Sequence, residues 1–240
     1  MPNKFQISLL VFGVLAVGLV LLLHSFLWIV AVDILAIIFY GLMAFCIRCN
    51  FYLNAIHKTK PNHVVLTFDD GPDPSYTPAI LATLKKHDVK AIFFLIGKNA
   101  DSNPALVREI LADGHKVGSH SYAHPNNFGF MSKKAVQEEI QKGLEALGGM
   151  EIKLFRPPVG ITNPNVAKAV HSLGLTVVGW SVRSLDTITK EPQKLLNRIL
   201  NKVKGGDVIL LHDTQFITAQ VLDELITELK NRSYILTNQL

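Results

Sequence analysis

An α/β fold with a parallel sheet, preceded by an apolar membrane anchor, is predicted by three features of the sequence. β-branched or aromatic runs alternate with helical patterns about seven times over residues 63–240. The helical patterns tend to open on Pro or a capping side chain and to stop at Gly. Residues 5–47 are apolar almost without interruption.

In the apolar segment the polar exceptions are Gln6 and Ser8, then His24, Ser25 and Asp33. One helix of that length, at ~1.5 Å per residue, is about twice the ~30 Å hydrocarbon core. Two spans are therefore expected, roughly 5–23 and 26–46, turning at His24-Ser25. A cleaved signal peptide needs an A-x-A-like site, and no convincing one is present. Residues 1–49 are read as an anchor in contact with membrane lipid. Asp33 is costly in lipid and is expected at a helix contact or an interface. Cys46-x-x-Cys49 falls at the membrane edge with little around it to depress a thiol pKa. The two cysteines are read as incidental, ahead of lipidation or a redox pair.

A polar connector, 50–62, leads into the domain 63–240. Strands are expected at 63–68, 90–96, 115–119, 152–155, 175–180, 207–211 and 233–237. Thr77-Pro78 opens a helix ending near Asp88, and Asn103-Pro104 one that stops at Gly114. Ser132 caps a charged amphipathic helix stopping at Gly148-Gly149; Asn163-Pro164 opens one stopping at Gly174. Glu191-Pro192 to Lys204 and roughly 217–230 complete the set. An open doubly wound sheet and a closed barrel both satisfy this alternation.

Four of the 24 basic and one of the 19 acidic side chains lie in residues 1–60, leaving 20 and 18 in the rest. That near-neutral balance gives no argument for nucleic acid. No G-x-G-x-x-G or P-loop follows the first strand, which weakens nucleotide-binding readings. Two cysteines exclude a disulfide-built scaffold and a four-thiolate zinc ribbon. No feature implies an obligate protein partner.

In β/α folds the working residues sit where strands end, and the polar chemistry clusters there. The first domain strand ends in Thr67-Phe68-Asp69-Asp70-Gly71-Pro72. Asp-Gly-Pro alone makes a good turn, but a turn does not need Asp69. Adjacent carboxylates leaving a strand point apart and suit two jobs, a base and a metal ligand. The third strand runs into His120-Ser121-Tyr122-Ala123-His124-Pro125. Two imidazoles four apart can converge on one cation, and with a carboxylate such as Asp70 they make a standard hydrolytic zinc set. Arg156-Pro157-Pro158-Val159-Gly160 places a guanidinium on a stiffened loop, suited to orienting a carboxylate. Trp180 to Asp186 follows the fifth strand, and Leu210-Leu211-His212-Asp213 ends the sixth. Asp186 is placed to hold the tautomer of His212.

TFDDGP, HSYAHP, RPPVG, the Trp-to-Asp segment and LLHD resemble, in this order, the five motifs of the NodB-homology polysaccharide deacetylases, carbohydrate esterase family 4. The resemblance covers about 61–240. It implies a distorted, incomplete (β/α) barrel of about seven parallel strands, and metal-dependent removal of acetyl groups from a sugar polymer. Carried over by motif, Asp69 is the base, and Asp70, His120 and His124 are the metal ligands. Arg156 orients the base, His212 is the general acid, and Asp186 supports it. Leu210 lines the acetyl pocket, Trp180 lines the groove, and the Val159 N–H is the oxyanion contact. Val159 stands where the family usually has Tyr, Thr187 follows Asp186 where Trp is frequent, and Arg183 stands where an acid is common. The implied metal is zinc first, with cobalt, nickel or iron also compatible.

The expected substrate is an N-acetylated sugar polymer such as peptidoglycan or chitin. The alternatives are a lipid-linked sugar at the membrane surface, or a membrane-tethered carbohydrate binder without activity. A binder has no use for Asp69, Arg156 and His212 together. Lys4, Arg48, Lys58 and Lys60 flank the spans, and the positive-inside rule favours a cytoplasmic domain. The family's polymers lie outside the membrane, and an extracytoplasmic domain is the reading adopted.

Overall fold

The computed structural model describes residues 3–23, 26–148 and 151–240. The expected turn at His24-Ser25 and the stop at Gly149 lie outside the described residues. Two apolar helices come first, α1 (Lys4–Leu23) and α2 (Phe26–Ala44). Lys4–Leu21 is long and apolar enough to cross a membrane; Trp28–Ala44 is a shorter apolar helix. The two are antiparallel: Phe5, near the start of α1, packs against Tyr40, near the end of α2, with ring centroids 5.7 Å apart. Phe51 and Tyr52 join that cluster, and Tyr52 Oη donates to the Tyr40 carbonyl at 3.1 Å. Asp33 is exposed on α2 rather than buried against α1.

Cys46 and Cys49 form a disulfide, which corrects the reading of them as incidental. The chain makes a short 3₁₀ turn over Ile47–Cys49, and that turn brings the two side chains together. A turn of this kind has no signal in hydropathy.

The remaining elements, in order, are β1 (Ala55–Ile56), β2 (His63–Asp69), α3 (Thr77–Lys86), β3 (Ile92–Leu95), α4 (Gly97–Ser102), α5 (Pro104–Ala112) and β4 (Lys116–Ser119). Then come α6 (Lys133–Ala146), β5 (Leu154–Phe155), α7 (Pro164–Ser172), β6 (Thr176–Val178), β7 (Val182–Arg183), α8 (Pro192–Leu200), β8 (Asp207–His212), α9 (Phe216–Asn231) and β9 (Ile235–Leu236). Ser132 caps its helix as expected, and of the two Asn-Pro openings Asn163 caps through its side chain while Asn103 does not. Ser132 Oγ accepts the Ala135 amide at 3.3 Å, and Asn163 Oδ1 accepts the Val166 amide at 2.9 Å. Gly114 and Gly174 end their helices at φ +80° and +63°, where a side chain is strained.

The strands run β1-β6-β5-β4-β3-β2-β8-β7, all parallel, with β9 added beside the start of β2. The sheet curls into a half-barrel. Among the described residues no pairing joins β1 to β7, so the barrel stays incomplete. The seven expected strands are all present. Two were missed: β1, which lies within the connector, and β7. Each is two residues long and, unlike the equally short β5 and β9, is not embedded in a longer apolar run. The polar helix α4 was missed for want of an apolar stripe.

Strand alternation divides the core. Val64, Leu66 and Phe68 of β2 face the helices, in a cluster with Phe93, Ile209 and α3, α5, α8 and α9. Val65 points the other way and packs with Ile92, Phe94, Val178 and Val208. Thr67 and Asp69 continue that inward row. The strand's period thus aims Asp69 at the barrel mouth.

Asp207 ties the connector to the barrel. Its carboxylate accepts Ser181 Oγ (2.6 Å) and the Lys204 amide (2.7 Å), and it pairs with Lys58. Burial raises its pKa, but these donors outweigh burial and hold the carboxyl below its ordinary range. A depressed folded-state pKa stabilises above the unfolded value of ~3.9 and is lost as pH falls through the folded one. Asp207→Asn is expected to cost about 1–3 kcal/mol at pH 7, with the deficit shrinking as the pH is lowered. Urea unfolding of both chains checks this, and coincident midpoints at pH 7 would reject it.

Candidate active site

The mouth of the half-barrel holds a cavity of about 190 Å³. Asp69, Asp70, His120, His124, Val159, Trp180, Leu210 and His212 all line it. Arg156 and Asp186, the other two residues singled out in the sequence, lie behind it and hold Asp69 and His212. Residues up to 143 positions apart in sequence therefore share one small volume. A larger hollow of about 790 Å³, beside Tyr52 and His171, has no carboxylate in its lining.

Arg156 is fully buried, and its planar fork organises the interior. Nη1 donates to Asp69 Oδ1 at 2.6 Å and to Thr67 Oγ1 at 2.8 Å. Nε donates to the Val178 carbonyl at 3.0 Å and Nη2 to the Gly179 carbonyl at 2.8 Å. The guanidinium carbon lies 4.2 Å from the centre of the Phe94 ring. A lysine has no fork to reproduce these four contacts. Burial pushes the Asp69 carboxyl above its ordinary range, against the opposing pull of Arg156 and His212.

Asp70 leaves β2 at φ +75°, a left-handed turn that separates its side chain from that of Asp69. Its Oδ1 lies 3.5 Å from His120 Nε2 and 3.8 Å from His124 Nε2. That oxygen is buried and has no hydrogen-bond partner. Ligand atoms of Asp70, His120 and His124 all lie within 4.8 Å of one another. His120 Nδ1–H donates to the Arg156 carbonyl at 2.7 Å, a tautomer that leaves Nε2 unprotonated toward Asp70. Burial drives the His120 pKa down to about 3, so the ring is neutral and free to ligate at neutral pH. An orphaned carboxylate oxygen facing two imidazole nitrogens is a donor set that fits a divalent metal.

His212, at the end of β8, lies beside Asp69 at the end of β2 in the strand register. Asp186 Oδ1 is 2.8 Å from His212 Nδ1, and Oδ2 accepts the His212 amide at 2.7 Å. Thr218 Oγ1, from α9, donates 2.7 Å to the same Oδ2. Burial opposes charge on His212, yet Asp186, Asp69 and Asp70 outweigh it and raise the pKa to about 9.

Val159 is exposed at φ +56°, a strained conformation for a β-branched residue. Gly160 follows at φ +72°, where an added Cβ would fall 2.3 Å from the Trp180 ring. Trp180 thus packs against the loop's backbone and walls the cavity. The sequence reading did not single out Thr67, Thr218 or Asp213. Thr67 and Thr218 are fully buried and hydrogen-bonded to Arg156 and Asp186. Asp213 accepts Thr77 Oγ1 at 2.6 Å, and burial pushes its pKa up to about 7. Thr67 and Asp213 sit inside quoted motifs; Thr218 had no signal.

Residues 56–178 match the family model described as Polysaccharide deacetylase. The chain is 38% identical over 186 residues to the peptidoglycan-N-acetylglucosamine deacetylase PgdA of Listeria monocytogenes, covering 75% of this chain. It spans only 38% of that relative's length. It is 37% identical over 157 residues to a chitooligosaccharide deacetylase of Azorhizobium caulinodans, covering 62% of this chain and 73% of the relative. A solved CE4-family pseudoenzyme of Bacillus anthracis superposes with a TM-score of 0.72 at 32% identity, over 77% of this chain and 67% of that one. A pseudoenzyme among the neighbours means that fold alone does not decide activity; the residues lining the cavity must. With the family model, the relatives, the half-barrel and the clustered motifs in agreement, the chain belongs to the polysaccharide deacetylases of carbohydrate esterase family 4.

Proposed function

We propose that this chain removes acetyl groups from N-acetylated sugars of a polymer of the peptidoglycan or chitin type. The observation that supports this most is one cavity carrying three groups: Asp70–His120–His124, Asp69 held by Arg156, and His212 held by Asp186. A divalent metal, zinc first, held by Asp70, His120 and His124 would supply Lewis-acid chemistry toward the acetyl group. Asp69 removes the proton of the attacking water. Arg156 fixes that carboxylate and keeps one of its oxygens occupied. The backbone N–H of Val159 donates to the developing oxyanion. His212, kept protonated by Asp186, gives its proton to the departing amine, which is otherwise a very poor leaving group. Leu210 and Trp180 bound the space for the acetyl methyl and the sugar ring.

Residues 1–49 act as the anchor, 50–62 as the connector and 63–240 as the catalytic domain, which lies outside the cytoplasm. The Cys46–Cys49 disulfide supports that placement, because disulfides persist in oxidising compartments. Protease protection of the domain until spheroplasts are lysed would overturn it.

The activity is tested by incubating the metal-loaded full chain with chitotetraose and with purified peptidoglycan. Acetate and free amine are expected to form in equal amounts, and a chelator is expected to stop both. A metal-bound chain that releases no acetate from either substrate defeats the proposal.

A further inference from the structure

We propose that Arg48, Arg183, Arg198 and Lys202 form an anion pocket for the phosphate or diphosphate that joins an N-acetylated sugar to a membrane lipid. This rests on the deacetylase reading and names the form in which that enzyme meets its sugar.

The four cations line one cavity of about 370 Å³, between the segment that leaves α2 and the β7–α8 region. No carboxylate lines it. Among the described residues none of the four forms an ion pair. Arg198 Nε is buried without a hydrogen-bond partner, and Arg48 Nη1 reaches only the Ser181 carbonyl, at 3.3 Å. Like charges gathered round a hollow repel one another, and an anion with several acceptor oxygens relieves that repulsion. Three guanidiniums suit phosphate, whose oxygens match the arginine fork.

Position selects the kind of phosphate. Phe45, Cys46 and Ile47 also line the pocket, and they follow directly on the apolar helix α2. That helix docks on the catalytic rim. The Ala44 carbonyl accepts the Thr162 amide at 2.8 Å, just beyond the Val159 loop, and buried Ile47 packs on Gly179. Trp180 and Arg183 line both this pocket and the catalytic cavity. An anion here therefore lies beside the sugar site and at the lipid end of the molecule. In a 2-acetamido sugar the anomeric oxygen is on the carbon next to the acetamido carbon. A phosphate on the anomeric oxygen falls in an adjoining pocket when the acetyl group is in the catalytic one.

The test uses the full chain in phosphatidylcholine nanodiscs with a Trp28→Phe change. Trp180 is then the only tryptophan of the chain's two that remains, and its fluorescence reports binding. The probes are polyprenyl-diphosphate-linked N-acetylglucosamine in the nanodisc, soluble UDP-N-acetylglucosamine, and nanodiscs with phosphatidylglycerol instead. The lipid-linked sugar is expected to saturate the signal at the lowest concentration. Arg198→Gln with Lys202→Gln is expected to weaken it at least tenfold. Deacetylation of chitotetraose by the same variant should stay within twofold, which also shows that the variant folds. Unchanged probe affinity in the variant overturns the pocket. Equal or tighter binding of the soluble nucleotide sugar or of phosphatidylglycerol overturns the lipid-linked assignment. Probe binding that the variant loses, in a chain that deacetylates neither sugar, keeps the pocket and defeats the deacetylase reading instead.

Discussion

Alanine at Asp70, His120 or His124 is expected to abolish metal binding and turnover together. Each supplies one corner of the donor triangle, and losing a ligand costs more than the ~10–100-fold in affinity of losing an outer hydrogen-bond partner. His120→Ala is the most informative of the three. His120 is almost fully buried, with Nδ1 held by the Arg156 carbonyl, so its ring is fixed with Nε2 toward Asp70. Elemental analysis of the purified full chain checks this directly. Full metal occupancy in His120→Ala would show that the ligands have been misassigned, whatever the activity.

Asp69→Asn is expected to separate rate from metal content. The amide keeps the shape of the carboxylate and leaves the donor triangle intact, so metal should be retained. Turnover should fall by roughly 10²–10⁴, the usual contribution of a positioned base. A second effect comes from burial. Arg156 is fully buried, and Asp69 is the anion it is paired with. Breaking a buried ion pair by removing one partner costs about 3–5 kcal/mol. The Thr67, Val178 and Gly179 oxygens around Arg156 offset part of that. The variant should therefore be metal-loaded, slow and less stable, and a denaturant midpoint must accompany the kinetics. Near-normal turnover excludes Asp69 as the base. His212→Ala should show a comparable rate loss and also lower stability, because it leaves the buried Asp186 carboxylate without its partner. Asp186→Asn should show a milder rate loss.

The active-site cluster was largely legible because each motif ends a strand, and parallel strands put their ends on one rim. Asp69 and His212 are 143 residues apart, yet β2 and β8 pair in register and set them side by side. The order of the motifs conveys this without coordinates. Helix limits were legible for a local reason: Pro, Asn, Ser and Gly act through their own backbone and the next turn. What failed was short or non-local. β1 and β7 exist through their neighbours, since neither two-residue strand lies in an apolar run as β5 and β9 do. Thr218 acts on His212 only because α9 packs across the mouth of β8.

The sequence by itself determined the fold class, the starts of the helices it marked and the residues gathered at the barrel mouth. These follow from local periodicity, capping and strand direction; the helix expected to reach Lys204 ends at Leu200. Tertiary structure alone decided how those side chains are held. Arg156 spans β2 and β6, Asp186 turns back to His212, and the Asp70 oxygen is left bare between two imidazoles. It also decided that α2 ends against the catalytic rim and that four cations from three distant segments share one hollow there. The physical reason is that hydrogen bonds, desolvation and charge repulsion act through space. Residues 48, 183 and 198 have no relation along the chain until the sheet and the apolar hairpin bring them to the same wall.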